Sequence, residues 1–347
     1  AAGPVVEWGH NTHELVSRLM TAKLGRDGEL RVLTTDAEFV SVKRQLGALA
    51  AHARGLLAAD DADEFLLRDP SAESLGRSVR TVVSCGALRI DCVPAEPPGT
   101  LQDRFVAAAS SRSARYNFLY CSQVVFSTQQ TIVTDVGAFA ARVHASLPPP
   151  LPPLRGRAEG PDDRPYLVVD GYHAFLAVPT SFPPDAPLFY VGGLLKHAAC
   201  GPNAAFVTLP PGARPEPLLT GWLADPSALE SGGGRLGDPI TFAEGSRLAG
   251  GTPAFGTALE VFCASMSLRK RLGVTVEATH AHVMLLHASL LRGLPPEGPI
   301  STRSLLPPQP EPVRAHALCF RQGSGGVAGA AAALLAKRGV GVDARGD

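Results

Sequence analysis

Two residues with complementary chemistry stand at the ends of short apolar runs in the middle of the sequence. Asp170 closes the run YLVVD, and Lys196 closes the run FYVGGLLK. Continuous apolar runs of this length indicate strands that are buried on both faces, as in a parallel sheet. Because ligands of such sheets bind outside the carboxyl ends of the strands, we expect the carboxylate and the amine to face one ligand.

An amine beside a carboxylate supports a particular kind of catalysis. The amine can form a Schiff base with an aldehyde, and the carboxylate can keep a pyridine nitrogen protonated so that the ring accepts electrons. Pyridoxal 5'-phosphate needs both groups. Because only an unprotonated amine attacks an aldehyde, we expect Lys196, the candidate catalytic residue, to be partly withdrawn from water. The alternative interpretation is a solvated lysine and an aspartate that caps the next turn.

The elements that must position this pair alternate between strand and helix over the first two-thirds of the chain. Strands are predicted over 29–35, 87–95 and 117–126, and helices over 12–23, 39–56, 100–111 and 134–147. Thr12 is the predicted N-cap of the first helix. Strands separated by helices of this length predict crossover connections and a parallel sheet.

The length of 347 residues predicts two domains, because single cores stop growing at about 250–300 residues. We place a large cofactor-binding domain at 1–272 and a small α+β domain at 273–347. The predicted helices around this boundary cover 253–272, with Pro253 in the first turn, and 278–294. An Ala-rich buried helix is predicted over 327–337, after a strand in 316–322. The proline-rich stretch 146–165 is predicted to be a surface insertion.

Composition excludes several classes of partner. The 32 basic and 32 acidic residues cancel, which argues against nucleic acid or an anionic membrane as partner. No apolar run approaches the roughly 20 residues of a membrane helix. The six cysteines show no CxxC spacing, so neither a zinc site nor a disulfide scaffold is predicted, and a cytoplasmic location is the expectation.

Four further motifs accompany the aspartate and the lysine. DGYHAF begins at Asp170, GGLLKHAACGPNAAFV contains Lys196, and TGW and GGTP follow in that order. The arrangement resembles the class V aminotransferase family of pyridoxal phosphate enzymes, most closely its kynureninase-like branch, over about residues 8–347. The resemblance implies an α/β fold of type I, with a large doubly wound, mostly parallel sheet domain and a small C-terminal domain. It also implies pyridoxal 5'-phosphate as cofactor, an amino acid as the small-molecule substrate, and a homodimer with a shared active site.

The resemblance assigns roles to particular residues. Lys196 would form the Schiff base, Asp170 would pair with the ring nitrogen, and His173 would lie near the ring. The phosphate would be held at the start of the first helix and by an indole N–H, and Thr252 would reach the site of a neighbouring subunit. The cofactor-binding candidates are thus Lys196, Asp170, His173, Trp222, Thr252, Asn11, Thr12 and Phe39. Phe39 is the candidate for stacking on the ring, with Thr35 as an adjacent possibility. Helix capping is the alternative role of Asn11 and Thr12, and core packing that of Phe39 and Trp222.

Several positions depart from the kynureninase pattern. Leu195 stands where kynureninases have a phosphate-binding tyrosine, Thr128 replaces a usual glycine, and GGTP lacks an asparagine linked to kynurenine recognition. The arginine that binds the substrate carboxylate in relatives is also missing, as is an N-terminal segment, so we expect an incomplete chain. C–C hydrolysis and transamination stay open, and a non-catalytic scaffold protein is the alternative. Cysteine desulfurase activity ranks last, because neither Cys200 nor Cys319 is expected on a mobile loop.

Overall fold

The structure, a computed structural model, describes residues 5–53, 79–85, 87–149, 160–230, 232, 235–306 and 314–344. Much of the predicted surface insertion at 146–165 therefore lies outside the described residues. The strands of the main sheet are β1 (Val5–Gly9), β2 (Leu30–Thr35), β3 (Arg80–Cys85), β4 (Leu88–Val93), β5 (Phe118–Ser122), β6 (Tyr166–Asp170), β7 (Phe189–Gly193) and β8 (Ala205–Leu209). A two-stranded sheet pairs β9 (Leu305–Leu306) with β10 (Cys319–Phe320).

The main sheet has the order β1-β8-β7-β6-β5-β2-β4-β3. Its centre is parallel, because β2 pairs in parallel with β4 and β5, β5 with β6, and β6 with β7. The edges are antiparallel, through β1 with β8, β8 with β7, and β3 with β4. The predicted parallel core is confirmed, and the antiparallel edge strands β1 and β3 are elements that the apolar runs did not indicate.

Eight helices are present in the described part of the chain: α1 (Thr12–Asp27), α2 (Val40–Ala53), α3 (Leu101–Ala109), α4 (Val136–Ser146), α5 (Pro226–Glu230), α6 (Gly256–Leu272), α7 (Val276–Arg292) and α8 (Gly325–Ala336). The predicted helices are all found, most with ends that differ by one to four residues, and residues 54–56 of the second predicted helix lie outside the described residues. Helix α6 begins at Gly256, so the expected Pro253 start is wrong by three residues. None of the helices in the described ranges combines the length and the apolar character that crossing a membrane requires.

Helices cover both faces of the sheet. Alternate strand residues point to two separate cores, as Val32 and Leu33 of β2 illustrate. One core is completed by α1 and α2, and the other by α3, α4 and Ala258 of α6. Strands β5, β6, β7 and β8 are buried along their whole length. The continuous apolar runs of β6 and β7 were therefore interpreted correctly as strands buried on both faces.

The Ala-rich helix differs from its prediction. Helix α8 forms where expected, but none of its residues is buried, and Val327 and Leu334 are exposed. The prediction of a buried helix is wrong, because apolar composition stabilises a helix whether or not another element covers it. Helix α7 also has no buried residue. The well-packed part of the described molecule is thus the eight-stranded sheet with its covering helices.

Candidate active site

Asp170 lies at the carboxyl end of β6 and is buried. The Tyr120 hydroxyl donates a hydrogen bond of 2.5 Å to its Oδ2, and the Tyr172 backbone N–H donates one of 2.8 Å to its Oδ1. Burial raises the pKa of Asp170 above its ordinary value, although both hydrogen bonds oppose that shift. Each carboxylate oxygen keeps a further lone pair. The group is held in a fixed orientation and can still accept from a ligand.

A second carboxyl group is buried beside the first, at the ends of β2 and β5. Glu38 is 2% exposed. It accepts hydrogen bonds from Thr35 Oγ1 at 2.6 Å, Ser122 Oγ at 2.5 Å and Ser122 N at 3.0 Å. Burial, and to a lesser degree the charge of Asp170, raise the pKa of Glu38 to about 7, although its hydrogen bonds oppose the shift. The sequence prediction missed this residue, although it directly precedes Phe39, the candidate for stacking on the ring.

An aromatic cluster lies next to Asp170 and contains two of the predicted ring contacts. The ring of His173 is 6.1 Å from that of Phe39, 5.4 Å from that of Phe126 and 5.8 Å from that of Tyr172, measured between centroids. Phe39 and Phe126 meet edge to face at 5.2 Å. The structure thus brings Phe39 and His173 together, as expected. Thr35, the alternative stacking residue, is instead occupied by its hydrogen bond to Glu38.

Lys196 lies at the same edge of the sheet as Asp170. Strand β7 is the parallel neighbour of β6, with Val191 paired to Asp170. The strand ends at Gly193, and Lys196 follows in a turn that its carbonyl closes with Ala199 N at 3.1 Å. Its side chain is exposed. The expectation of a partly desolvated amine is therefore wrong for this structure, because the chain leaves the buried sheet before it reaches the lysine.

His197, the residue that follows the lysine, belongs to a histidine cluster centred on His316. The His197 ring meets the His316 ring edge to face at 5.0 Å, and His280 Nδ1 lies 3.2 Å from His316 Nε2. Burial, together with the charges of His197, His280 and His287, lowers the pKa of His316 to about 4. These contacts join the lysine turn to α7 and to the segment before β10. Within the described ranges, no three His, Cys, Asp or Glu side chains form a possible metal site.

The candidate phosphate residues at the start of α1 have capping geometry. Asn11 is the N-cap, and its side chain accepts a hydrogen bond of 2.8 Å from Glu14 N. Thr12 is the first helical residue, so its prediction as N-cap is wrong by one position. Asn11 has an extended backbone conformation, and its side chain reaches the N–H of the third helical residue, which is the geometry of an N-cap. Thr12 is partly exposed and Asn11 exposed, so the helix start is open to solvent.

Trp222 and Thr252 lie on two loops that the structure brings together. Leu223 N donates to the Gly250 carbonyl at 3.2 Å, and a Cβ on Gly221 would lie 2.6 Å from that oxygen. The Arg18 guanidinium of α1 donates to the carbonyls of Leu219 and Ala249, one on each loop. Trp222 is 47% exposed, and Thr252 is exposed. The predicted residues therefore form two groups, one at the sheet end and one on the loops beside α1.

Known proteins are similar to this chain only in structure. No protein-family model matches the sequence, and no curated protein sequence matches it. The apo cysteine desulfurase from Thermococcus onnurineus NA1 superposes with a TM-score of 0.62 at 14% identity, covering 98% of this chain and 68% of that chain. The cystine C–S lyase C-DES, in complex with its reaction product cysteine persulfide, superposes with a TM-score of 0.60 at 15% identity, covering 98% of this chain and 74% of that one.

A C-DES variant with glycine covalently linked to its pyridoxal phosphate cofactor gives the same TM-score of 0.60 at 15% identity, over 98% of this chain and 73% of that one. The match extends over nearly the whole of the present chain. It agrees with the covered, centrally parallel sheet described above. The predicted α/β fold class is thereby confirmed: this chain has the fold of pyridoxal phosphate-dependent enzymes.

Proposed function

We propose that this protein is a pyridoxal phosphate-dependent enzyme that acts on an amino acid through Lys196. The observation that carries the proposal is the state of Asp170. It is a buried carboxyl group at the end of a central strand, and no Lys, Arg or His of the described residues forms an ion pair with it. A buried carboxylate without a cation is costly. A protonated pyridine nitrogen would supply the missing charge.

The surrounding residues fit such a ring. Phe39 and His173 offer flat surfaces next to Asp170, and planar aromatic groups pack on one another with centroids 4.5–7 Å apart. Lys196 offers an exposed amine from the turn that follows the neighbouring strand. The open start of α1, with Asn11 and Thr12, is a suitable place for a phosphate, because helix N-termini attract anions. Trp222 and Thr252, both exposed, would add an indole N–H and a hydroxyl, and the exposed Thr252 is compatible with a site shared across a homodimer.

Each residue at the sheet end has a defined task in this proposal. When bound, the cofactor supplies an aldehyde for covalent attachment of amines and a ring that accepts electrons from the substrate. Tyr120 and the Tyr172 N–H fix the two oxygens of Asp170. Asp170 would hold a proton on the ring nitrogen. Lys196 would provide the amine for covalent attachment of the cofactor and, once the substrate amine had displaced it, would take or return a proton at the substrate α-carbon.

The reaction class has two leading candidates. The resemblance in sequence favours C–C hydrolysis or transamination of the kynureninase-like kind. The similar folds belong to a cysteine desulfurase and a cystine C–S lyase, which supports cleavage of a C–S bond in a sulfur amino acid as a second candidate. We therefore rank C–S cleavage above a non-catalytic scaffold, which reverses the order drawn from the sequence.

The raised pKa values of two cysteines indicate which mechanism of C–S cleavage suits this protein. The Cys200 thiol is buried beside the Ala198 carbonyl at 2.9 Å, and burial raises its pKa. Burial also raises the pKa of Cys319. Both changes disfavour a thiolate that attacks a substrate sulfur. Direct elimination, which needs no protein thiol, fits these residues better than persulfide transfer to either cysteine.

Absorbance titration with pyridoxal phosphate tests the proposal. Wild-type protein should develop the band of a Schiff base, lose it on borohydride reduction, and then carry the added mass on the peptide that contains Lys196. Lys196→Ala should show neither change. Lys270→Ala removes another exposed lysine, at the end of α6, and should behave like wild type.

The same preparations identify the reaction. Cystine, cysteine, kynurenine and alanine would be supplied in turn, and persulfide or sulfide, the C–C cleavage products and keto acids would be measured. Release of a sulfur product selects C–S cleavage. Wild-type protein that binds no cofactor at any concentration used would contradict the enzyme and favour a scaffold protein.

A further inference from the structure

Glu38 and Asp170 are connected through a single short segment of β5. Ser122 donates to Glu38 from both its backbone N–H and its hydroxyl, and it is paired with Asp170 in the register of β5 and β6. Tyr120, two residues earlier on the same face, donates to Asp170. Thr35 attaches Glu38 to the end of β2. The two carboxyl groups therefore belong to one buried network at the carboxyl ends of three neighbouring strands.

We propose that Glu38 is a positioning residue for Asp170. Glu38 carries a proton in the cofactor-free protein and releases it to water when a cationic ring nitrogen pairs with Asp170. This inference rests on the proposed function, because it requires a cationic ligand at Asp170. It adds a residue to which the family resemblance gave no role. It also explains how two acidic groups can share a buried network.

The hydrogen bonds of Glu38 are compatible with both charge states. Ionised Glu38 accepts from Thr35 Oγ1, Ser122 Oγ and Ser122 N, which are its present contacts. Protonated Glu38 can donate to either hydroxyl, because a hydroxyl group can reverse its role, while Ser122 N continues to donate to it. The network thus keeps its geometry when the proton leaves.

The groups that face Glu38 do not neutralise it. The titratable neighbours are Asp170 on β6, Tyr120 and Cys121 on β5, and Cys92 on β4. Burial raises the pKa values of both thiols and of the phenol, so all three stay neutral near pH 7. Burial is the main reason that the pKa of Glu38 is raised, and the charge of Asp170 adds to it. A cation at Asp170 cancels this second contribution and so lowers the pKa of Glu38.

This coupling has a defined pH dependence. If the pairing lowers the pKa of Glu38 by about one unit from its cofactor-free value of about 7, binding of pyridoxal phosphate gains up to about tenfold above both values and nothing below them. Glu38→Gln is permanently neutral and similar in shape, so it should lack this gain. The ratio of wild-type to Glu38→Gln affinity should therefore rise from about one at pH 5.5 to about tenfold at pH 8.5.

The experiment measures dissociation constants for pyridoxal phosphate from pH 5.5 to 8.5 by absorbance titration, with thermal unfolding of the cofactor-free proteins in parallel. Because the folded-state pKa of Glu38 is raised, its contribution to stability is lost as pH rises through about 7. The melting temperature of wild type should therefore fall relative to that of Glu38→Gln over this range.

Glu7→Gln is the matched control. Glu7 lies on β1, is buried, and has a pKa raised by burial despite hydrogen bonds from the backbone N–H groups of Leu248 and Arg247. Its substitution should change the pH dependence of stability and leave the affinity ratio flat. If Glu38→Gln does not fold, Ser122→Ala serves as the second variant. Loss of its hydroxyl donor should move the midpoint of the affinity change to higher pH.

The outcomes separate this inference from the function on which it rests. Binding of pyridoxal phosphate with an affinity ratio that stays flat from pH 5.5 to 8.5 overturns the role of Glu38 alone. Absence of binding by wild type at every pH overturns the proposed function and this inference together. A ratio that rises with pH in Glu38→Gln comparisons, and stays flat in Glu7→Gln comparisons, supports the coupling.

Discussion

Acidic side chains at the sheet end and at the start of α1 respond to folding in opposite ways. At the sheet end, burial raises the pKa values of Glu38 and Asp170. At the start of α1, burial also raises the pKa of Glu14, but hydrogen bonds from the His10 backbone N–H, the Arg18 guanidinium and the His10 ring outweigh it, so the pKa lies below its ordinary value.

This difference shows in which of the two regions the acidic side chain already has a cationic partner within the protein. Glu14 has a cation within the chain, since Arg18 Nη2 lies 2.7 Å from Oε1, and the His10 ring also contacts it, with Nδ1 3.1 Å from Oε2. Asp170 accepts hydrogen bonds from a phenol and a backbone N–H. A buried anion supported only by neutral donors is stabilised further by an incoming cation. The sheet end is therefore the region suited to a charged ligand.

The largest expected effect comes from the crowding of the sheet end. A Cβ on Gly171, the residue after Asp170, would lie 1.9 Å from the Tyr190 hydroxyl oxygen. Tyr190 is buried, donates to Gln123 Oε1 and packs on Phe182, so it has little room to move. Gly171→Ala should lower the free energy of unfolding by about 2–3 kcal/mol through overpacking. Chemical denaturation measures this change.

Gly251→Ala is the control from the loops beside α1. A Cβ there meets no atom within 4 Å, so the free energy of unfolding should change by less than about 0.5 kcal/mol. Equal effects of the two substitutions would contradict the contrast between the crowded position of Gly171 and the open position of Gly251.

A smaller effect should distinguish the two ends of β6. Tyr120→Phe removes the hydroxyl that donates to Asp170, and Tyr166→Phe removes the one that donates to Asp162 Oδ1 at 2.7 Å. Both tyrosines are buried, so each substitution should lower the free energy of unfolding by about 1–2 kcal/mol. Only Tyr120→Phe should also weaken pyridoxal phosphate binding several-fold, because ionised Asp170 loses a donor.

Unfolding and absorbance titrations on the same samples provide both numbers. If Tyr166→Phe weakened cofactor binding as much as Tyr120→Phe, the effect would come from a general loss of stability. The hydrogen bond to Asp170 would then have no specific role in cofactor binding.

Much of the sheet end was predictable because its signals are local. The runs that became β6 and β7 are continuous and apolar, and a chain that must bury both faces of a strand can hardly avoid such a pattern. Asp170 was predicted from its position at the end of the first run, and His173 from the family resemblance of DGYHAF. The positions of β1 and β3 were not predictable in this way, since β1 is held by pairing with β8, about 200 residues later in the chain.

The parts that sequence reasoning missed depend on contacts between distant residues. Glu38 acquires its raised pKa from burial beside Ser122 and Asp170, which the sheet brings to it. Lys196 is exposed because the chain turns after Gly193, although the apolar run continues to Leu195. Helix α8 shows the converse, because its apolar composition predicts a helix but not the element that would cover it.

The smallest expected effect tests whether the pKa of Glu14 is shifted in the direction opposite to that of Glu38. Glu14→Gln removes the charge that pairs with Arg18 and His10. Because the folded-state pKa of Glu14 is lowered, its contribution to stability is present above its unfolded value and is lost as pH falls through the folded value. For this partly exposed group the free energy of unfolding should drop by about 0.5–1 kcal/mol at pH 7 and be unchanged near pH 3. Thermal unfolding should therefore show both variants converging with wild type in acid, whereas above pH 7 wild type should be more stable than Glu14→Gln and less stable than Glu38→Gln. Differences of the same sign for both variants would mean that the two acidic regions do not differ in charge balance.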